Sequence, residues 1–507
     1  MRRLTLSRVG GWNGPFATAL GVMLALALGV LLLRLTPLEG VLLVGLVFGV
    51  VVTVFEPLIG LIIALFLGLM KGYLATWVPQ VPAQVGHIFF ALGLGVWLAQ
   101  GFSRRAVTIP HSPLLLPLLF FLSVALLSLW DAVELPTYGV PEFVKWVQVA
   151  LLLIVVQDLL QPRALPWLIG GLLAVALAQV GIGFWQFALW EDAPENFRLT
   201  LLGREFHRAY GTFEQPNPFA GFLGISLSLA FGGLWSAIVG WWEAGVEPDR
   251  RALRAFGWAI GAGAVVAALA LGLLMSWSRG GWLGFAAAAV VMALALPRKA
   301  VWGIALVALL IVGALGATAV DVLPDALVAR LTDFVEYIEL DDVRGVRIND
   351  ANFAVIERLA HWQAALGMFR SNFWTGVGIG CYEPAYAAFA LIDWEEPLGH
   401  AHNFYLNIAA ETGLLGTITY LSFWGVVFWQ TWRVTRRAEG LHRGIGIGFL
   451  GAWTHLSVHH LFDNLTVNNL HLYIGILLGV LAFLVQAQSG NKEEYDRKSR
   501  AFGTIES

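Results

Sequence analysis

Cysteine is almost missing from this chain of 507 residues: Cys381 is the only one. That excludes an internal disulfide and a cysteine-based metal cluster. Charge is scarce as well. Asp, Glu, Lys and Arg together make up 13% of the residues, half the ~25% of an ordinary soluble domain. Such a level excludes a water-soluble enzyme, a disordered chain and a fibrous repeat. Neither sign dominates, and the net charge of -3 excludes a nucleic-acid binder driven by a basic surface. No solenoid-type repeat is visible. The first apolar run has no small-residue cleavage site after it, so no cleaved signal peptide is expected.

What is present is apolar. Hydrophobic residues make up 58% of the chain, and 22 are Trp, the residue that favours the membrane–water interface. An all-α polytopic membrane protein follows, because helices satisfy their own backbone polar groups in lipid. Apolar runs bounded by Pro, Gly or charge lie at 15–34, 40–55, 57–70, 87–102, 112–130, 142–160, 166–189, 217–241, 254–276, 281–296, 301–320, 403–430, 444–462 and 470–487. Several fall short of the ~20 residues that a bilayer requires. The pair 40–55 and 57–70, broken at Glu56-Pro57, would also suit a re-entrant hairpin. About 12–14 spans are expected.

Orientation follows from Lys and Arg, which collect on cytoplasmic loops. With the N-terminus inside, 19 of the 31 basic residues fall inside. Of the remaining 12, five lie in one long loop, 321–401, which the rule discounts. Both termini are then cytoplasmic, so the number of spans is even. The expected layout is 1–320 as membrane helices with an outer loop at 190–216, 321–401 as a large outer loop, 402–490 as further membrane helices, and 491–507 as a cytoplasmic tail. In the large loop, Pro324 to Leu340 and Asp350 to Phe369 show helical apolar spacing. Helices there would lie over the outer surface as a lid.

The outer face gathers the residues suited to chemistry. Arg279 is the only charge between Arg254 and Arg298. It either snorkels to lipid headgroups or grips an anion. Gly280 and Gly281 follow it and would let a backbone or a ligand come close. Arg208 and Arg358 sit among other charges and, taken singly, read as solvated or salt-bridged. Three arginines on one face suggest a phosphate clamp, since guanidinium meets phosphate oxygens as a fork. Fixed cations can stabilise a departing diphosphate without a metal.

His400 and His402 precede the span that begins near Asn403. Asn403 suits a helix N-cap, which places His402 at the helix mouth. A histidine there serves either as a general base or as a capping anchor. Asn407 and Glu411 continue one stripe at i+4 and i+8 from Asn403. A glutamate inside an apolar span requires a partner or a water-filled cavity. His455, His459 and Asp463 repeat at i, i+4, i+8, a spacing compatible with a metal. A polar helix-packing patch is the preferred reading of that cluster, and no metal site is expected.

His402-Asn403, nine further residues, then Gly413, Gly416 and Thr417 resemble the H-[NSQ]-x9-G-x-x-G-[TV] signature of O-antigen ligases. Arg208 to Asn217, Ser278-Arg279-Gly280-Gly281, Glu357-Arg358 to Trp362, and Gly376 to Gly380 are similar to other patterns of the O-antigen ligase and polymerase superfamily. The likeness covers about 200–420; the first 190 residues match only as generic spans.

The resemblance implies a fold like that of the C-type glycosyltransferases of the bacterial inner membrane. It implies a glycan donor on undecaprenyl diphosphate, an acceptor that is a lipid or a growing glycan, no cofactor and no metal. Arg208, Arg279 and Arg358 would hold the diphosphate, and His402 would orient or deprotonate the acceptor hydroxyl, with inversion. Asn403, His400, Asn217, Glu411 and Lys145 would line the substrate site, with shaping of its loop between Pro216 and Pro218 as the alternative role of Asn217. Ligase-type transfer ranks ahead of polymerisation and of transfer to protein hydroxyls. A lipid or solute transporter is the competing class. It predicts midplane charge and two related repeats, and the sequence shows neither.

Overall fold

The computed structural model describes residues 35–78, 81–82, 84–105, 107, 109–190, 194–201, 203–245, 250–319, 342–349 and 352–488, with Met23 and Gly29. The expected first span at 15–34, apart from Met23 and Gly29, the helix over Pro324 to Leu340 and the tail 491–507 lie outside these residues.

The described chain is mostly helical. The helices are α1 (Pro37–Phe55), α2 (Pro57–Leu69), α3 (Val85–Ser103), α4 (Leu115–Ser128), α5 (Val140–Leu159), α6 (Leu165–Ala188), α7 (Pro216–Glu243), α8 (Arg250–Met275), α9 (Arg279–Ala295), α10 (Ala300–Ala319), α11 (Phe353–Ser371), α12 (Phe404–Arg437), α13 (Gly440–His459) and α14 (Leu470–Gln488). Among the described residues nine helices are long and apolar enough to cross a membrane, and three shorter apolar ones accompany them. The protein is a multi-pass membrane protein.

The break at Glu56-Pro57 is real. Glu56 ends α1 and precedes α2, whose first residue is a proline, where a missing N–H costs nothing. The 13 residues of α2 rise only about 20 Å at 1.5 Å each, less than the ~30 Å hydrocarbon core. The chain therefore continues through a second short helix, Lys71–Trp77.

The centre of the bundle is α14, with 89% of its span buried, whereas α1 and α10 are 11% and 6% buried. The outlying helices present their apolar faces to lipid, as expected where lipid and leucine are equally apolar. Close packing at the centre uses small residues instead. A Cβ on Gly232 of α7 would lie 2.1 Å from the Gly444 carbonyl of α13, so the two backbones nearly touch. Successive helices run up and down, which brings the N-termini of α7, α9, α12 and α14 to the same end as the C-termini of α8 and α13.

One feature was not visible in the apolar pattern. Loop 190–216 carries a two-stranded antiparallel ribbon, Arg198–Leu201 and Arg204–His207, with Arg198 opposite His207. Gly203 turns it at φ 73°. Arg198 bridges to Glu195 and Glu205 at 3.6 and 3.8 Å, a surface pairing that keeps the ribbon closed. In the long loop, the expected helix forms as α11 and packs on α12.

Candidate active site

α12 starts as its sequence suggests. The Asn403 side chain accepts from the Tyr405 and Leu406 N–H groups, both at 3.1 Å. Just before it, His402 has φ 51°, a left-handed conformation that costs a non-glycine residue energy and recurs at functional sites. The turn is fixed from both sides. Asn407 Oδ1 accepts from the Ala401 N–H at 3.1 Å, and His400 Nδ1 accepts from the His402 N–H at 3.1 Å.

Asp463 is the centre of the site. His402 Nδ1 and His400 Nε2 lie 3.5 and 3.6 Å from its Oδ1. Asn217 Nδ2 donates to its Oδ2 at 2.7 Å. Asn217 Oδ1 in turn accepts from Ser278 Oγ at 2.9 Å and from Arg208 Nη2 at 3.4 Å. Arg208 Nε donates to the Ser276 carbonyl at 3.1 Å. Ser278 also caps α9 by accepting from the Gly281 N–H. Arg279 is therefore the first residue of a helix whose cap is tied to the same network. Arg358, on α11, lies within electrostatic reach of Asp463, Arg279 and Glu357. Its Nη1 donates to the Ala354 carbonyl at 2.8 Å, and its buried Nε finds no partner among the described residues.

The electrostatics follow from burial. Burial drives the His400 imidazole down to about 4, against the pull of Asp463. Burial also raises the Asp463 carboxyl, but the His402 ring, His400 and the Arg358 guanidinium outweigh it and hold the group ionised. Burial lowers Arg358 from its ordinary value, yet a guanidinium starts so high that it stays charged.

His361, three residues after Arg358 on α11, was not singled out by the sequence. Its ring meets the His402 ring edge-on, with centroids 5.6 Å apart, and stacks on Tyr386 at 4.8 Å. Its Nδ1 is 2.9 Å from Tyr382 Oη. Burial brings its pKa to about 4. The i+3 spacing from Arg358 was the available signal, since it puts both on one face of the helix.

The close approach expected at Gly280 and Gly281 is made by the protein's own neighbouring helices: added Cβ atoms would lie 2.6 Å from the His459 ring and 2.7 Å from the Ala220 side chain. One expectation is corrected. The supposed helical stripe of His455, His459 and Asp463 is broken, because α13 ends at His459. His455 fills the notch left by Gly224, while Asp463 turns to His400 and His402. Helix packing accounts for His455.

Side-chain ligand atoms of His400, His402 and Asp463 lie within 4.8 Å of one another, a spacing a metal ion would accept. The tautomer argues otherwise. His400 Nδ1 accepts a backbone N–H, so the proton of the neutral ring sits on Nε2, the atom that a metal would require bare.

Lys145 and Glu411 stand apart from this network. Lys145 pairs with Glu142 at 2.5 Å. Glu411 accepts from the Tyr382 N–H at 3.2 Å and holds the turn Gly376–Gly380 against α12. Both line a polar cavity of about 190 Å³ together with Asn407.

Residues 264–421 match the family described as O-Antigen ligase. Arg279, Arg358, His400, His402, Asn403 and Glu411 fall inside the matched segment, and Lys145, Arg208, Asn217 and Asp463 outside it. No curated protein matches the chain.

Proposed function

We propose that this multi-pass membrane protein, which carries an O-antigen ligase family domain, moves a glycan from polyprenyl diphosphate to an acceptor hydroxyl. The observation that carries the reading is the ionised Asp463 that faces His402, with Arg208 linked to it through Asn217, Arg358 within its electrostatic reach and Arg279 within reach of Arg358. Three guanidiniums in one network make the site receptive to an anion. A diphosphate supplies that anion.

In the reaction, His402 points Nδ1 at Asp463, leaving Nε2 to accept the proton of the acceptor hydroxyl. The acceptor oxygen bonds to the anomeric carbon from the face opposite the leaving group, so the centre inverts. The bond to the diphosphate oxygen breaks and the diphosphate departs with the electron pair. The arginines stabilise the charge that develops there. Asp463 fixes the tautomer and the angle of His402. No divalent metal enters, because the guanidiniums supply the charge.

The orientation in this reading puts the site at the periplasmic or exterior face of a bacterial inner membrane, with both termini cytoplasmic. Its support is the concentration of Arg298, Arg436 and Arg443 at the opposite end of the bundle. Purified protein in detergent, given polyprenyl-diphosphate oligosaccharide and candidate acceptors, tests the function. Release of polyprenyl diphosphate with glycan on the acceptor supports it, and product size separates single transfer, as in a ligase, from polymerisation. No turnover with lipid, glycan or protein acceptors, together with flux into liposomes, would favour a transporter.

A further inference from the structure

The cavity of about 190 Å³ beside the active-site turn is not used by the arginine network. Its walls come from different elements: α5, the turn at Ile379-Gly380, and the start of α12. Yet its wall adjoins the segment that holds the base. Gly399 and Phe404, which line it, flank the segment holding His400 and His402. Asn464, also in its wall, follows Asp463 directly. Asn407 faces the cavity and also accepts from the Ala401 N–H, so whatever fills the cavity sits against the support of His402.

Its chemistry differs from that of the arginine cluster. Glu142, Lys145 and Glu411 bring two carboxylates and one ammonium to the wall. Such a lining repels a diphosphate. The Glu142–Lys145 pair is 20% and 35% exposed, so its remaining hydrogen-bonding capacity faces the opening. Amide side chains and the buried Trp146 complete the surface. Carboxylate, ammonium and amide groups beside an aromatic ring suit a ligand that offers many hydroxyls and no net charge.

We propose that this cavity is the seat of the acceptor: it takes a neutral sugar ring and presents one of its hydroxyls to His402. The proposal rests on the glycosyl-transfer reading, and it divides the site in two. The donor diphosphate binds among Arg208 of the loop before α7, Arg279 of α9 and Arg358 of α11, and the acceptor sugar enters between α5 and α12. An inverting displacement requires such a division, because nucleophile and leaving group occupy opposite faces of the anomeric carbon.

Saturation-transfer NMR of the full chain in detergent tests this with methyl glycosides of neutral hexoses and N-acetylhexosamines as probes. The wild type is expected to transfer saturation to at least one glycoside, and His402→Ala to retain it. Thr137→Trp, which fills the rim of the cavity, should abolish the signal. Glu142→Gln should weaken binding roughly tenfold, the loss of one charge-assisted hydrogen bond. Inorganic diphosphate should leave the signal in place. No transfer to any glycoside, a signal indifferent to both cavity variants, or displacement by diphosphate would overturn the proposal. Donor turnover by the wild type, measured separately, shows whether the transfer reading itself has failed.

Discussion

The two ends of the helix bundle both hold arginines, and they use them differently. At one end Arg298 donates to the Arg436 carbonyl at 3.1 Å, Arg436 to the Pro297 carbonyl at 2.9 Å, and Arg443 to the Leu296 carbonyl at 2.7 Å. These guanidiniums finish the C-termini of α9 and α12, where backbone carbonyls lack partners and the helix dipole is negative. At the other end Arg279 is the first residue of α9 and Arg358 lies early in α11, near helix N-termini, where the dipole is positive and cations are disfavoured. There Arg208 donates to the Ser276 carbonyl and Arg358 to the Ala354 carbonyl, and Asp463 and Glu357 bring negative charge within reach of Arg358. Arginine at a C-terminus anchors the helix end, whereas arginine at an N-terminus adds to a field that favours an anion.

That contrast is sharpest in the base. His402→Ala is expected to lower the transfer rate by about 10²–10⁴, the usual range for general-base catalysis, with the thermal midpoint unchanged. Asp463→Asn should come next. An amide no longer fixes the His402 tautomer, so kcat should fall while KM for the donor moves little. Equal falls in both would reduce Asp463 to a structural support.

Arginine replacements compare the ends directly. Arg279→Lys and Arg358→Lys each lose a fork that an ammonium cannot copy, and we expect a drop of roughly tenfold or more in kcat/KM. Arg298→Lys and Arg443→Lys should leave kcat/KM as it is and lower the melting temperature by a few degrees, the cost of about one hydrogen bond at each carbonyl. Wild-type rates for Arg279→Lys would make that residue a point charge.

Acid supplies the smallest effect. His361 and His400 are both held near 4 by burial, below the ~6.5 of an unfolded histidine. As pH falls from 6.5 towards 4, the unfolded chain takes up protons that the native state refuses, so stability falls across that window and is full above it. Thermal melts of the wild type against His361→Asn between pH 7 and 4 should show a shallower decline in the variant.

The helices were legible because apolar runs and their Pro, Gly and charge boundaries are local. So was the cap at Asn403, which depends on the next few residues alone. The close approach at the glycines after Arg279 was legible too, but not what makes it: nothing local shows that His459 of α13 fills the space beside them. The Asp463 carboxylate was visible, but helical spacing joined it to the wrong histidines, since α13 stops four residues short of it. Its true partners, His400 and His402, approach from the turn before α12. The ribbon at 198–207 escaped because its strands are only four residues each.

The most direct test of the account is a single-turnover measurement of polyprenyl-diphosphate release by the purified protein, with acceptor present and excess chelator. The account predicts that the wild type releases it at the same rate with and without chelator, that His402→Ala loses release, and that Arg298→Lys keeps it. Release that stops with chelator, or that survives in His402→Ala, would contradict a metal-free site built on arginines and one histidine.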